Sequence, residues 1–275
     1  MTNADTKELL EIALEVAFGA GEILLDGRPD PVTRSVVATN TKTSPTDVVT
    51  ERDLASEKYI VEVLESRRPG DGIVGEEGTD RQSTSGLNWV IDPLDGTVNY
   101  FYGFDVWSVS IAVADDEGPL VGVVHAPVLK RTYWAVRGEG AFLRTEEGEQ
   151  RLPGVVEVEL SHALVATGFG YKQSRRQAQA EVVHRLLPEI RDLRRVGSAA
   201  LDMCMVAAGY VNAYFERGAH AWDVMAGTLI ATEAGAVVSG LRGNGPSAEM
   251  VVAAAPILQS QLVQRLEALD ADRLD

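Results

Sequence analysis

The sequence predicts an α+β fold of helices layered on sheets, in which a mostly antiparallel N-terminal half meets an alternating C-terminal half. Two observations predict it. Apolar residues recur at helical spacing near the N-terminus and then switch to short strand-like runs. After a polar stretch at Arg144 to Arg151, strands and helices alternate. The composition is that of a globular chain, with 45% hydrophobic and 24% charged residues in 275, so collagen-like and disordered classes are excluded.

The first helix carries Leu9, Ile12, Ala13, Val16, Ala20, Ile23 and Leu24 at three- and four-residue spacing. Asp5 with Glu8 starts it, Gly27 stops it, and Pro29 follows. Residues 28–50, rich in Thr, Ser and Pro, read as loop and turn. A second helix spans Glu51 to Arg68, with Leu54, Tyr59, Ile60, Val63 and Leu64 apolar. Asn88 to Ile91 is a short strand that Pro93 is expected to end. Val106 to Ala114, Leu120 to His125 and Thr132 to Val136 continue as a meander punctuated by Gly118-Pro119 and Pro127. The polar stretch sets the expected division into an N-terminal half, residues 1–150, and a C-terminal half, residues 151–275. In the second half Ser174 to Leu187, Ser198 to Ala208, Ala221 to Ala234 and Ile257 to Leu269 read as helices. Leu164 to Thr167, Ala213 to Glu216 and Met250 to Ala253 read as strands.

With 41 acidic and 25 basic residues the formal net charge is −16. Such a chain repels nucleic acid and anionic membranes, and suits bound cations. The longest apolar run, Val251 to Leu258, is broken by Pro256 and falls short of the ~20 residues that span a bilayer. The N-terminus lacks the basic and apolar regions of a signal peptide. Cys204 is the single cysteine, so no internal disulfide forms and a cytoplasmic location is expected. Cys204 falls in an apolar helix and is expected to be buried.

Three segments carry acids at predicted element ends. Gly75-Glu76-Glu77-Gly78 follows Ile73-Val74. Asp92-Pro93-Leu94-Asp95-Gly96-Thr97 follows the Trp89 strand. Trp222-Asp223 opens a helix. Asp92 and Asp95 flank a tight turn, and a helical turn starting at Gly96 and Thr97 presents free amides to an anion. Each acid alone has a plain explanation, as a turn cap, a solvated loop or a partner of the helix dipole. Together, converging carboxylates repel and call for a hard divalent cation, Mg²⁺ or Mn²⁺ over Zn²⁺, because no His or Cys cluster accompanies them. The acids are three apart, so the DxDGT motif of haloacid-dehalogenase-type phosphatases is not matched.

WVIDPLDGTVNY (Trp89 to Tyr100), GEE (Gly75 to Glu77) and WDVMAG (Trp222 to Gly227) resemble the signatures of the inositol monophosphatase family. KTSPTDVVTERD (Lys42 to Asp53), GFGY (Gly168 to Tyr171) and VGSAALDMC (Val196 to Cys204) extend the resemblance over nearly the whole chain. It implies a layered αβαβα sandwich, as in fructose-1,6-bisphosphatase. It also implies a Mg²⁺-dependent, lithium-sensitive phosphomonoesterase that hydrolyses myo-inositol monophosphate by attack of metal-activated water, without a phosphoenzyme. Glu76, Asp92 and the Leu94 carbonyl are then the ligands of one ion, and Asp92, Asp95 and Asp223 those of a second. Glu77 acts through a water near a third, weaker ion, so two or three ions are expected. Thr97 and Asp53 orient and deprotonate the water, and the amides of Gly96 and Thr97 hold phosphate oxygens. Glu216 contacts substrate hydroxyls, Ala199 lines the pocket, and Lys42 lies in a loop near the site. The substrate is a small phosphorylated polyol, and a homodimer is expected. Fructose-1,6-bisphosphatases, histidinol-phosphate phosphatases and adenosine 3′,5′-bisphosphate phosphatases share these motifs. A regulatory binding protein is the alternative from another class. His220, three residues before Asp223, and the four tryptophans are expected to be structural.

Overall fold

In a computed structural model of the chain, which describes residues 3–29, 39–41 and 48–273, the first amphipathic stretch is helix α1 (Asn3–Asp26). Its row Leu9, Ile12, Ala13, Val16, Ala20 and Leu24 is buried, as one face of a surface helix should be. The stretch read as loop holds two short strands, β1 (Thr39–Thr41) and β2 (Val48–Thr50), paired antiparallel. Three residues carry too little periodicity to announce a strand. β2 runs directly into α2 (Glu51–Arg67), capped by the Thr50 hydroxyl, which accepts from the Arg52 and Asp53 amides. This helix buries Ile60 and Leu64, whereas Leu54, counted with its apolar face, is 48% exposed.

Next come β3 (Gly72–Gly75), β4 (Asp80–Arg81) and β5 (Asn88–Asp95), then the short helix α3 (Thr97–Phe101). The meander follows as β6 (Ser108–Asp115), β7 (Gly118–Ala126), β8 (Arg131–Val136), β9 (Gly140–Thr145) and β10 (Gly148–Arg151). These strands form one eight-stranded sheet in the order β10-β9-β8-β7-β6-β5-β3-β4. β3 and β5 are parallel, and the other neighbours are antiparallel. The polar stretch Arg144 to Arg151 forms an edge hairpin that ends this sheet, and its exposed charges suit an unpaired edge. Pro93 does not end its strand. β5 continues to Asp95, and its ladder with β6 skips between Asp92 and Asp95. A bulge is where a strand tolerates a residue without a donor, and the Ser56 hydroxyl secures the Pro93 carbonyl at 2.9 Å.

The remaining elements are β11 (Leu164–Thr167), α4 (Gln173–Leu186), β12 (Asp192–Arg194), α5 (Ala199–Ala207), β13 (Ala213–Glu216), α6 (Ala221–Glu233), β14 (Val237–Ser239), β15 (Val251–Ala254) and α7 (Pro256–Ala268). They build a mixed five-stranded sheet, β12-β11-β13-β15-β14. β11 is parallel to both neighbours and β15 antiparallel to both of its own.

Four buried clusters mark the planes between layers. Ile12 and Ile60 pack on Ile111 and Val123 of the large sheet. The opposite face, with Val124 and Ala135, meets Cys204 and Ile230 of α5 and α6. Those two helices turn Met203 and Ala231 to Tyr214 and Val251 of the small sheet. Its far face, with Phe215 and Val252, is covered by Leu186 of α4 and Leu262 of α7. Neighbours such as Val123 and Val124 part to opposite faces because the strand period is two. The layer order is thus α, β, α, β, α, the expected sandwich. Among the described residues no helix is long and apolar enough to cross a membrane.

Candidate active site

Strands β3 and β5 are parallel neighbours, so their C-terminal ends emerge at one edge of the large sheet. That places Glu76 beside Asp92, with the Glu76 amide donating to the Ile91 carbonyl at 3.2 Å. The first turn of α6 brings in Asp223. One carboxylate oxygen from each of Glu76, Asp92 and Asp223 lies within 4.8 Å of the other two. Two of these acids are aimed by local amides: Asp92 Oδ1 accepts from Leu94 at 2.9 Å, and Asp223 Oδ2 from His220 at 2.5 Å. His220 is thus the cap of α6, with its ring stacked on Trp222.

Asp95 stands slightly apart from this trio. Its Oδ2 accepts from the Ser198 hydroxyl at 2.5 Å and the Ala200 amide at 2.8 Å, and its Oδ1 from the Ala199 amide at 3.3 Å. It joins the large sheet to the N-terminus of α5. Burial pushes the Asp95 carboxyl up to about 6, opposed by Ser198 and Ala200. Asp92 is raised well above the usual range by burial and then by the charges of Glu76, Asp95 and Asp223. Asp223 is raised by burial and by Glu76 and Asp95. An all-oxygen set under mutual repulsion fits a hard divalent cation, whose charge would return these groups to the ionised form.

The bulge delivers Gly96 and Thr97 next to this cluster. Gly96 caps α3 at φ 97°, and a Cβ there would lie 3.1 Å from the Gly197 carbonyl oxygen. Thr97 Oγ1 lies 3.0 Å from both Asp53 Oδ1 and the Leu94 carbonyl, so its one proton serves either acceptor. Asp53 is fully buried. Its Oδ2 accepts from the Thr50 amide at 2.9 Å and from the Thr50 hydroxyl. Burial raises its pKa and the Thr50 hydrogen bonds oppose that rise.

A cavity of about 590 Å³ opens over the cluster. Glu76, Asp92, Leu94, Asp95, Gly96 and Thr97 line it, as do Ala199, Asp202, Glu216, Trp222 and Asp223. Asp53 and Glu77 do not line it, and Lys42 lies outside the described residues. Trp89 and Trp107 are core, and Trp222 is half-buried, packed against the core between the large sheet and its helices while also lining the cavity. Glu216, at the end of β13, accepts from the Tyr214 hydroxyl at 2.9 Å, and burial pushes its carboxyl up to about 7. It passes so close to Gly168 that a Cβ there would sit 1.9 Å from Glu216 Oε2.

The roles of three residues of the site were not anticipated from sequence, although Ser198 and Asp202 lie in the GSAALDMC stretch. Glu57 of α2 accepts from the Glu77 amide at 2.8 Å and from the Thr79 hydroxyl at 2.7 Å, fixing the acidic loop. An acid in the middle of a helix gives no sign of such a role. Ser198 caps α5 and holds Asp95; a serine before an apolar run was the available signal. Asp202 is buried at the cavity wall.

A family model described as the inositol monophosphatase family matches residues 5–271. An inositol-1-monophosphatase of Mycobacterium leprae is 45% identical over 84% of this chain and 81% of its own length. A protein of Pasteurella multocida named Nus factor SuhB is 38% identical over 94% of this chain and 96% of its own. The solved structure of Mycobacterium tuberculosis SuhB superposes with a TM-score of 0.79 at 38% identity, covering 96% of this chain and 97% of that one.

Proposed function

The chain belongs to the inositol monophosphatase family, and from that membership we propose that it is a Mg²⁺-dependent phosphomonoesterase acting on myo-inositol monophosphate. The observation that carries the reading is the Glu76, Asp92 and Asp223 trio at the cavity wall, next to the hydrogen-bonded Thr97 and Asp53. Glu76, Asp92 and the Leu94 carbonyl would hold one ion; Asp92, Asp95 and Asp223 would hold a second. Glu77 would serve a weaker third. Bound there, Mg²⁺ supplies positive charge to the phosphoryl and leaving oxygens and acidifies water.

The chain's own groups do the rest. As water attacks phosphorus and the ester P–O bond breaks, Thr97 Oγ1 takes the water's proton and passes its own hydrogen along the existing 3.0 Å bond to Asp53 Oδ1. The departing alkoxide takes a proton from solvent. Burial makes Asp53 a stronger base than a solvated carboxylate, which suits a proton acceptor. The amides of Gly96 and Thr97 hold phosphoryl oxygens, a hold that the left-handed Gly96 permits. Glu216 accepts from alcohol hydroxyls of the substrate, and Ala199 lines the pocket beside it. No side chain is used as a nucleophile, so no phosphoenzyme forms.

The test is phosphate release from myo-inositol 1-phosphate, fructose 1,6-bisphosphate, histidinol phosphate and adenosine 3′,5′-bisphosphate, with and without Mg²⁺. Mg²⁺-dependent preference for the inositol ester is the expected result. Preference for another ester would keep the metal chemistry and refute the substrate. A second reading, a regulatory binding role, is favoured by the relative named Nus factor SuhB. Absence of phosphate release from every ester by the folded, Mg²⁺-loaded protein would put that reading first.

A further inference from the structure

Asp202 is an acid on the cavity wall that the catalytic reading leaves without a task. It lies in the first turn of α5, is 1% exposed, and lines the same cavity as Glu216. Its Oδ1 is shut off from solvent and has no hydrogen-bond partner. The neighbouring acids are treated differently. Asp92, Asp95, Asp223 and Glu216 each accept at least one hydrogen bond from the protein. A buried carboxyl left without a partner is costly, and departures of this kind concentrate at functional sites.

A helix dipole would reward an acid at this turn, but it would do so equally at an exposed position and gives no reason to bury one facing a cavity. Burial and the nearby charge of Glu216 raise the Asp202 pKa well above the carboxylate range, while Arg195, also on the cavity wall, acts in the opposite sense on both acids. The neutral acid both donates and accepts, which is what an alcohol hydroxyl requires. Asp202 projects from α5 and Glu216 from β13, so the two approach the cavity from different elements.

We propose that Asp202 is a substrate-binding, specificity-determining residue that, beside Glu216, grips a second hydroxyl of the substrate's alcohol portion. This inference rests on the phosphatase reading. A site built to hydrogen-bond a substrate hydroxyl discriminates strongly against an ester that lacks it, because its own polar groups are then left unpaired.

The experiment compares kcat/KM for myo-inositol 1-phosphate with that for p-nitrophenyl phosphate, an ester without hydroxyls, at saturating Mg²⁺. Wild type is set against Asp202→Ala, Asp202→Leu and the conservative Asp202→Asn, with thermal midpoints for each. The preference for the inositol ester is expected to fall by about tenfold or more in the Ala and Leu variants. Asn, which keeps an acceptor and a donor, restores part of it. The thermal midpoint of the Leu variant holds or rises, because an unpaired buried carboxyl has been replaced by an apolar group. An unchanged preference in both Ala and Leu variants overturns the inference alone. So does a wild type that shows no preference for the inositol ester over p-nitrophenyl phosphate. Failure of the Mg²⁺-loaded wild type to release phosphate from either ester overturns the phosphatase reading itself, and this inference with it.

Discussion

The Thr97 hydroxyl stands between a fully buried carboxylate and the Leu94 carbonyl, and neither contact survives its loss. Thr97→Val keeps the shape and removes the relay. Its kcat is expected to drop by about a hundredfold or more. Mg²⁺ affinity by calorimetry should stay near wild type, since the hydroxyl is not a proposed ligand. Glu57 acts at one remove. Its carboxylate holds the Glu77 amide and the Thr79 hydroxyl, and Glu57→Gln turns one acceptor into a donor facing an amide. Groups that orient ligands in this way typically contribute about 10–100-fold in metal affinity or activity, and Mg²⁺ titration of that variant reads the loss. The acids at strand ends were legible because Gly and Pro mark them off from their surroundings. Glu57 was not, since its role depends on a loop 20 residues on that folds back over α2.

At the scale of elements, Asp223 is placed by the seating of α6 on the large sheet. Gly122 of β7 makes that seating possible: a Cβ there would lie 2.8 Å from the Ala226 carbonyl oxygen and 3.1 Å from its Cα. Gly122→Ala should push α6 outward and carry Asp223 away from Asp92. Overpacking of this kind costs about 1–3 kcal/mol. The expected outcome is a lower thermal midpoint together with weaker Mg²⁺ binding, measured on the same preparation. A variant that lost stability but bound Mg²⁺ normally would separate the helix seating from the site. The long amphipathic helices and the meander were readable because each repeats its apolar period several times. β1, β2, β4, β12 and β14 have two or three residues each. Each is defined by its pairing with a partner strand, near in sequence for β1, β2 and β4 and farther for β12 and β14, which no local periodicity announces. The continuation of β5 through Pro93 was hidden for the same reason, because the bulge is a property of the β5–β6 ladder.

The molecule as a whole carries a formal charge of −16 and concentrates buried and half-buried acids at one cavity. In the metal-free protein Glu216 is raised from 4.5 to about 7 and Asp95 from 3.8 to about 6. The folded state then holds more protons than the unfolded one between each pair of values, so these groups favour folding as pH falls through them and oppose it as pH rises. His125 works the other way. It is buried between Phe18 and Thr132, and burial lowers its pKa from 6.5 to about 4. The unfolded chain gains that proton first, so stability is lost as pH falls through that window. Mg²⁺ requires ionised ligands. Thermal scans should therefore show a Mg²⁺-induced rise in midpoint that is largest above pH 7 and fades below about 6, where protons compete for Asp95. At a hundredfold excess over Kd that gain corresponds to about 2.7 kcal/mol. A Mg²⁺ effect independent of pH would contradict the buried-acid account of the site.

The most direct measurement is the rate of phosphate release from myo-inositol 1-phosphate as Mg²⁺ is titrated from a chelated start, for wild type and for Asp95→Asn. The wild-type rate should rise from zero with Mg²⁺ and saturate, while Asp95→Asn stays folded by circular dichroism yet loses turnover. Wild-type turnover that persists in the chelator, or near-normal kcat in Asp95→Asn, would contradict the central claim that these acids work by holding metal against the substrate.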